Sequence, residues 1–406
     1  METTTRVPWV TVLVLPRARR RVPAALAVCL LSFVSFWIAQ RAAHVSMIDL
    51  LVYRAEGATV RAGGDLYALR TTHARLPTTY PPFAALLFAP LTLVDVATMR
   101  AAATVANLAL LVAFAHLSLR LVGRHARVEH ALWVAAGAVW CEPVWTTLRY
   151  GQVNLLLAVL VLWDLTRRPG HRWAGIGIGV AAAIKLTPAL FAVFLVCTGI
   201  TVAVFRRGDW RPWLRHACVA GCAFAGATAP AAAVLPHDSR RFWTRMVFEA
   251  SRVGYAEDTA NQSLRGTLAR LLHTGDPGPW WALTAAVTGA LGLAVAVAAA
   301  LRGRRAQAVV ACAMTALLVS PVSWSHHWVW CVPLLLLVWE SGRRRTAALL
   351  TSVFCSYALW WVPHGPGRLE LHQNGGQLAL SALYVGVAYA FLVCSGFRLW
   401  RTSRTA

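Results

Sequence analysis

Long apolar runs alternate with short basic turns along this chain. A membrane-crossing helix needs about 20 mostly apolar residues, fewer where it is short or bent. Twelve stretches meet that description, near 22–40, 100–122, 131–147, 152–166, 173–185, 187–204, 217–235, 280–301, 306–321, 327–340, 346–363 and 377–397. The runs are continuous instead of changing face at every second residue. That excludes a closed barrel and predicts an all-α, polytopic integral membrane protein. The stretch 81–97 does not fit as a further span, because Pro81, Pro82 and Pro90 interrupt it. Counting it would also reverse the side of every later loop, so it is expected to be re-entrant or interfacial. No linker or composition shift marks a second domain, and residues 1–406 read as one transmembrane unit.

Charge then orients the spans. The basic turns Arg120 to Arg127, Arg167-Arg168 to Arg172, Arg206 to Arg215, Arg302 to Arg305, Arg343 to Arg345 and the tail Arg398 to Arg404 all fall on one side. So does the run Arg17, Arg19, Arg20, Arg21 before the first span. Positive charge stays in the cytoplasm, so both termini are expected there, with the protein in the cell membrane. Two long loops, about 41–80 and 236–279, face outward with shorter polar turns at 148–151, 185–188, 322–327 and 364–376.

Composition agrees. The 406 residues are 58% hydrophobic and 14% charged, with mean hydropathy +0.56, against about 25% charged in soluble domains. The net charge of +23 lies in short runs between spans and forms no basic domain, so nucleic acid is not an expected partner. The 19 Trp include the pairs Trp280-Trp281 and Trp360-Trp361, which suit interfacial belts. Nine Cys without a C-x-x-C read as small buried hydrophobes, with neither metal nor cofactor implied. The first span is long for a signal peptide and lacks a clear small-x-small cleavage site.

Candidate chemistry gathers on the outer face: Asp49, Tyr53, Tyr80, Glu142, Gln152, Asn154, Lys185, Asn261, Gln262, Arg265, His326 and His327. None of them sets the topology, so their convergence is informative. Asp49 follows the first span. It either caps a surface helix from about Leu50 to Ala62 or takes a proton from a bound hydroxyl; Glu56 and Asp65 are rival bases, although Asp65 stands beside glycines like a turn residue. Lys185 interrupts some thirty apolar residues next to Thr187-Pro188, where it either faces an anionic group or snorkels to the interface. Gln152 and Asn154 could cap a helix or bind sugar hydroxyls. His326 and His327 could contact an anion. Adjacent helical residues point about 100° apart, which makes shared ligation of one metal awkward.

These residues resemble a family. Asp49 to Tyr53 with Gly63-Gly64-Asp65-Leu66-Tyr67, then Tyr80-Pro81-Pro82-Phe83, Gly151-Gln152-Val153-Asn154, Lys185-Leu186-Thr187-Pro188, Asn261-Gln262-Ser263-Leu264 and Ser320 to His327 occur in order over roughly 45–330. Together they resemble the polyprenyl-phosphate-mannose-dependent α-mannosyltransferases, GT-C-fold enzymes of glycosyltransferase family 87. The resemblance implies about twelve spans and an extracytoplasmic site under the first outer loop. It also implies a polyprenyl-phosphate sugar donor, a lipid or glycan acceptor and a catalytic acid that maps onto Asp49. Lys185 and the histidine pair fall where donor-phosphate contacts are expected. Because the family includes arabinofuranosyl transferases, the sugar stays open.

The residues support an inverting displacement. Asp49 would take the acceptor proton, while Lys185, His326 and Arg265 stabilise the departing phosphate. Gln152, Asn154, Asn261, Gln262, Tyr53 and Tyr80 would contact the substrates. A flippase for a lipid-linked sugar is the rival from another class, and it predicts pseudo-symmetric halves with polar residues on both faces. A scaffold without chemistry is a second rival.

Overall fold

A computed structural model describes residues 17–72, 74–124, 127–168 and 170–402. Arg404 and the side chains of Arg17, Arg19 and Arg20, part of the basic runs above, lie outside it. Five described helices are long and apolar enough to cross a membrane alone: Arg21–Ala42, Val96–Leu121, Arg211–Val234, Gly278–Leu301 and Leu383–Arg401. Their outer faces are open, with 17–39% of each apolar window buried in protein, as suits helices that face lipid. Caps delimit some ends. Asp95 starts the Val96–Leu121 helix by accepting from the amides of Ala97 and Thr98 at 2.9 and 3.0 Å.

The other apolar stretches are shorter or broken. The 131–147 stretch divides into Val128–Ala138 and Glu142–Tyr150. Glu142-Pro143 starts the second helix, with proline in the first turn, where its missing N–H costs nothing. That helix and Asn154–Leu165 form a pair bent by 118° around Gly151, which ends the first helix at φ 70°. Lys185, extended at φ −150°, separates Ile176–Ile184 from Ala189–Val204. The 346–363 stretch is helical only over Arg344–Cys355 before short turns, and 377–397 is entered through Gly375–Ser381. The 81–97 stretch comprises a seven-residue helix, Pro82–Phe88, and a single turn, Ala89–Leu93. Among the described residues the regular structure is helical apart from one two-stranded ribbon, Arg70–Thr71 with Leu76–Pro77, and an isolated bridge between Asn261 and Trp324.

The short helices form the interior. Along Arg305–Val319 every residue from Ala308 to Leu318 is buried. It lies close against Gly278–Leu301, where Gly292 admits Thr315: a Cβ at 292 would collide with that side chain. Small residues are what allow membrane helices to approach this closely. All nine cysteines are free, but Cys218, Cys222 and Cys394 face outward, contrary to the expectation of uniform burial. A small apolar stripe facing lipid costs nothing, which sequence polarity does not distinguish from core.

The two long loops, expected to face outward, interlock at one end of this bundle. The first contains the helix Ile48–Arg61 and the second the helices Pro236–Thr244 and Leu264–Leu271. Leu66, Tyr67, Ala85 and Phe242 make a small apolar cluster between them. Asp65 accepts from the amides of Tyr67 and Ala68 at 2.8 and 2.9 Å and pairs with Arg241 at 2.6 Å, so it is a turn residue.

Candidate active site

The helix breaks at Gln152 and at Lys185 open toward one cavity of about 780 Å³ beneath the two long loops. Asp49, Tyr53, Tyr80, Gln152, Lys185, His326 and His327 all line it.

Asp49 stands in the first turn of Ile48–Arg61 but does not cap it. The capping position is Met47, and no side chain bonds the free amides there. Instead Asp49 Oδ2 accepts from Gln152 Nε2 at 2.7 Å. The amide of Gln152 is held in that orientation by two hydroxyls. Tyr53 and Tyr80 lie 2.8 Å apart and reach Gln152 Oε1 at 2.8 and 3.0 Å. Phe88 stacks on Tyr53 at 4.3 Å and locks its ring. Asp49 Oδ1 has no hydrogen-bond partner among the described residues, so one oxygen is positioned and the other is available. Burial pushes the Asp49 carboxyl up to about 6, against the opposing effects of the Gln152 bond and the Lys185 charge. A carboxylate with that affinity is ionised at neutral pH yet basic enough to accept a proton in a transition state.

Glu56, one rival base, is completely buried and absent from the cavity wall. Burial, reinforced by the charge of Asp49, pushes its carboxyl up to about 8, so it is mostly neutral at pH 7.

Lys185 turns into the cavity from its helix break. Its Nζ lies 2.8 Å from His327 Nε2 and 3.4 Å from Asn154 Oδ1, and 5.5 Å from the centre of the Tyr80 ring. An ammonium can only donate, so His327 Nε2 accepts and its proton resides on Nδ1. Asn154 lies one layer deeper, in a separate pocket of about 50 Å³ with Lys185 and His327. Its Nδ2 donates to the His326 carbonyl at 3.0 Å, and Thr147 Oγ1 does so at 2.7 Å. Neither Gln152 nor Asn154 therefore caps a helix. The two histidine rings stand at 90° to each other. Among the described residues His326 Nε2 has no hydrogen-bond partner, although it is buried. Among the described residues no group of three His, Cys, Asp or Glu could hold a metal ion.

Asn261, Gln262 and Arg265 are not brought to the cavity wall. Asn261 is buried and accepts from the Ser323 amide at 3.0 Å while donating to the Ala256 carbonyl at 3.0 Å. Gln262 donates to the carbonyls of Thr259 and Ser381 at 2.8 and 2.6 Å. Arg265 lies over Trp281, 5.7 Å from the ring centre. This motif supports the cavity without lining it: it ties the second long loop to the Ser323–Trp324 segment just ahead of the histidines.

Glu142 does similar work from below, a role that its place in the chain did not suggest. Its carboxylate accepts from Thr146 at 2.9 Å, Ser325 at 2.8 Å, Trp360 at 3.2 Å and Tyr384 at 2.9 Å. It thereby holds Ser325, next to His326, against the C-terminal helices. The sequence signal was an acid between Cys141 and Pro143 at the end of an apolar run. Also unexpected are the wall residues Tyr150, Asp258, Trp360, His364 and Glu370. Nothing periodic marks their loops.

A multi-pass helical protein with a carboxylate, a lysine and a histidine facing one cavity has the arrangement of a membrane enzyme. The profile of glycosyltransferase family 87 matches residues 79–321. A polyprenol-phosphate-mannose-dependent alpha-(1-2)-phosphatidylinositol pentamannoside mannosyltransferase of Mycobacterium tuberculosis is 36% identical over 315 residues, 75% of this chain and 69% of the relative. A polyprenol-phosphate-mannose-dependent alpha-(1-2)-phosphatidylinositol mannoside mannosyltransferase of Mycolicibacterium smegmatis is 33% identical over 389 residues, 88% of this chain and 85% of the relative. The chain belongs to glycosyltransferase family 87 and is a membrane glycosyltransferase. The profile takes in Tyr80, Gln152, Asn154 and Lys185; Asp49 and Tyr53 precede it, and the histidine pair follows it. No solved structure matches the chain.

Proposed function

We propose that this glycosyltransferase moves a mannosyl residue from a polyprenyl-phosphate donor to a hydroxyl of a glycosylated phosphatidylinositol-type acceptor, with inversion and without a metal. The single observation that carries the reading is the shared cavity of Asp49, Lys185 and His327. Asp49 Oδ1 takes the acceptor proton as the hydroxyl oxygen bonds to the anomeric carbon. The bond from that carbon to the phosphate oxygen breaks, and its electron pair leaves with the polyprenyl phosphate. Lys185 donates to the developing phosphate charge, and His327, accepting from Nζ through Nε2, holds that ammonium in place. A phosphate leaves without a separate acid, so one carboxylate suffices, unlike the pair needed in glycoside hydrolysis. Gln152, Tyr53 and Tyr80 hold the base. Asp258, Glu370, Trp324 and Trp360 offer the acceptors and ring faces that suit a neutral sugar.

In this reading about twelve stretches cross the membrane, several as bent or short segments. Both termini are cytosolic and the cavity opens outside, which the one-sided arginine turns support. The names of the relatives favour mannose over arabinose.

The test is transfer by the purified protein, with polyprenyl-phosphate mannose, polyprenyl-phosphate arabinose and a nucleotide-linked mannose offered separately to a phosphatidylinositol mannoside. The expected product carries one more α-linked mannose, forms only from the polyprenyl-phosphate mannose and persists in a chelator. Transfer from arabinose alone, from the nucleotide sugar, or of a β-linked residue would refute the assignment.

A further inference from the structure

A second cavity, of about 440 Å³, lies at the other end of the bundle. The Arg305–Val319 helix connects the two. Arg305 lines the second cavity and Val319 the first; they are the two ends of a 15-residue helix, about 21 Å apart at 1.5 Å per residue. The proposed reaction uses nothing in this second space.

Its rim is cationic: Arg167, Arg168, Arg215 and Arg305, with His171 and His216. Two of the guanidinium groups are fixed by backbone. Arg305 Nη2 donates to the Arg167 carbonyl at 2.8 Å, and Arg215 Nη2 donates to the Gly170 carbonyl. A guanidinium has five N–H donors, so each keeps several for a ligand. None of the four arginines has a carboxylate within ion-pair distance among the described residues. Two acids share the wall with the four arginines; each has one oxygen bonded to a backbone amide, while Asp164 Oδ1 is buried with no hydrogen-bond partner among the described residues. Asp164 Oδ2 accepts from the Ile178 amide at 2.8 Å, and Asp209 Oδ1 accepts from the Arg211 amide at 3.0 Å. His216 Nε2 is buried with no hydrogen-bond partner among the described residues.

The inner wall is apolar, formed by Phe194, Leu195, Trp213, Ala308 and Val309. The space is far larger than one inorganic phosphate, and its two halves differ as the two ends of a lipid do. The basic loop at Arg343, Arg344 and Arg345 is the instructive contrast: it carries similar charge but is exposed and lines neither cavity. We propose that the second cavity binds the phosphate headgroup of an anionic phospholipid, with its glycerol and upper acyl carbons against the apolar wall. Basic pockets between membrane helices commonly hold such headgroups.

The experiment measures binding to the intact protein in neutral detergent, by native mass spectrometry and thermal shift. The probes are phosphatidylinositol, phosphatidylglycerol, phosphatidylcholine and inorganic phosphate. Both anionic lipids should bind and raise the melting temperature, whereas phosphatidylcholine and inorganic phosphate should do neither at matched concentration. The double variant Arg215→Gln/Arg305→Gln should weaken anionic-lipid binding roughly ten- to thirty-fold, from about 1 kcal/mol per basic residue. The control Arg344→Gln/Arg345→Gln should not. Equal weakening in both variants would mean general surface attraction, and equal protection by inorganic phosphate would mean a free-anion site; either result overturns the proposal. Should the double variant fail to fold, Arg168→Gln, on the exposed rim, gives the same comparison with one charge.

Discussion

Asp49→Asn is expected to lower kcat about 10²–10⁴-fold, the usual contribution of a positioned general base, with melting temperature and donor binding nearly unchanged. Asparagine keeps the size of the side chain and can still accept from Gln152 Nε2, so the hydrogen-bonded set of Tyr53, Tyr80 and Gln152 survives. What it lacks is an oxygen that can take a proton. If the residue mattered only at the start of its helix, asparagine would serve as well as aspartate. A pH profile of the unmodified enzyme checks the same point. Burial raises the carboxyl to about 6, above its ordinary value, so the active ionised form is lost as pH falls through that region. The expected profile for kcat/KM is a plateau near neutrality and a tenfold fall per pH unit well below about 6. An acid limb starting near 4 would contradict the burial argument, and full activity in Asp49→Asn would remove the residue from catalysis.

Lys185→Met is expected to cost about 10²–10³-fold in kcat, the scale of losing one donor to a developing oxyanion, with a higher KM for the donor. Methionine preserves length and apolar bulk at the helix break and removes the charge alone. The alternative, a lysine that merely reaches for interfacial water, does not fit the geometry: Nζ is turned inward onto His327 and Asn154. Lys185→Arg should recover little, because the planar fork cannot reproduce a single 2.8 Å bond to His327 in the same space. Steady-state kinetics over a donor series separates the two effects. An unchanged rate and KM would exclude Lys185 from the phosphate site.

The sequence made the long spans legible because some twenty apolar residues between arginines have few other uses in a folded chain. It also singled out several of the polar residues that the fold brings to one cavity, Asp49, Gln152, Lys185 and His327 among them, since polar groups beside lipid need a reason to be there. The fine divisions were less readable. The break at Glu142-Pro143 lies between two apolar runs, and whether a proline bends or ends a helix depends on the neighbours that satisfy the freed backbone. Asn261 and Gln262 illustrate the limit for side chains. An amide in an outward loop could meet a sugar or a carbonyl, and only the fold shows Ser323, Thr259 and Ser381 in place of open space. Lys185 was the opposite case, where one charge in thirty apolar residues leaves few alternatives. The cavity walls at His364 and Glu370 have no periodicity to read, and their role follows from where the last helices return.

The most direct test of the central claim is a structure with a non-transferable donor, a polyprenyl phosphonate of mannose, bound together with an acceptor glycolipid. The phosphonate should lie within hydrogen-bond reach of Lys185 Nζ, with the acceptor hydroxyl near Asp49 Oδ1 and on the opposite side of the anomeric carbon from the leaving oxygen. A phosphonate bound away from Lys185, for example among Arg167, Arg215 and Arg305 at the far cavity, or an acceptor hydroxyl out of reach of Asp49, would contradict the account.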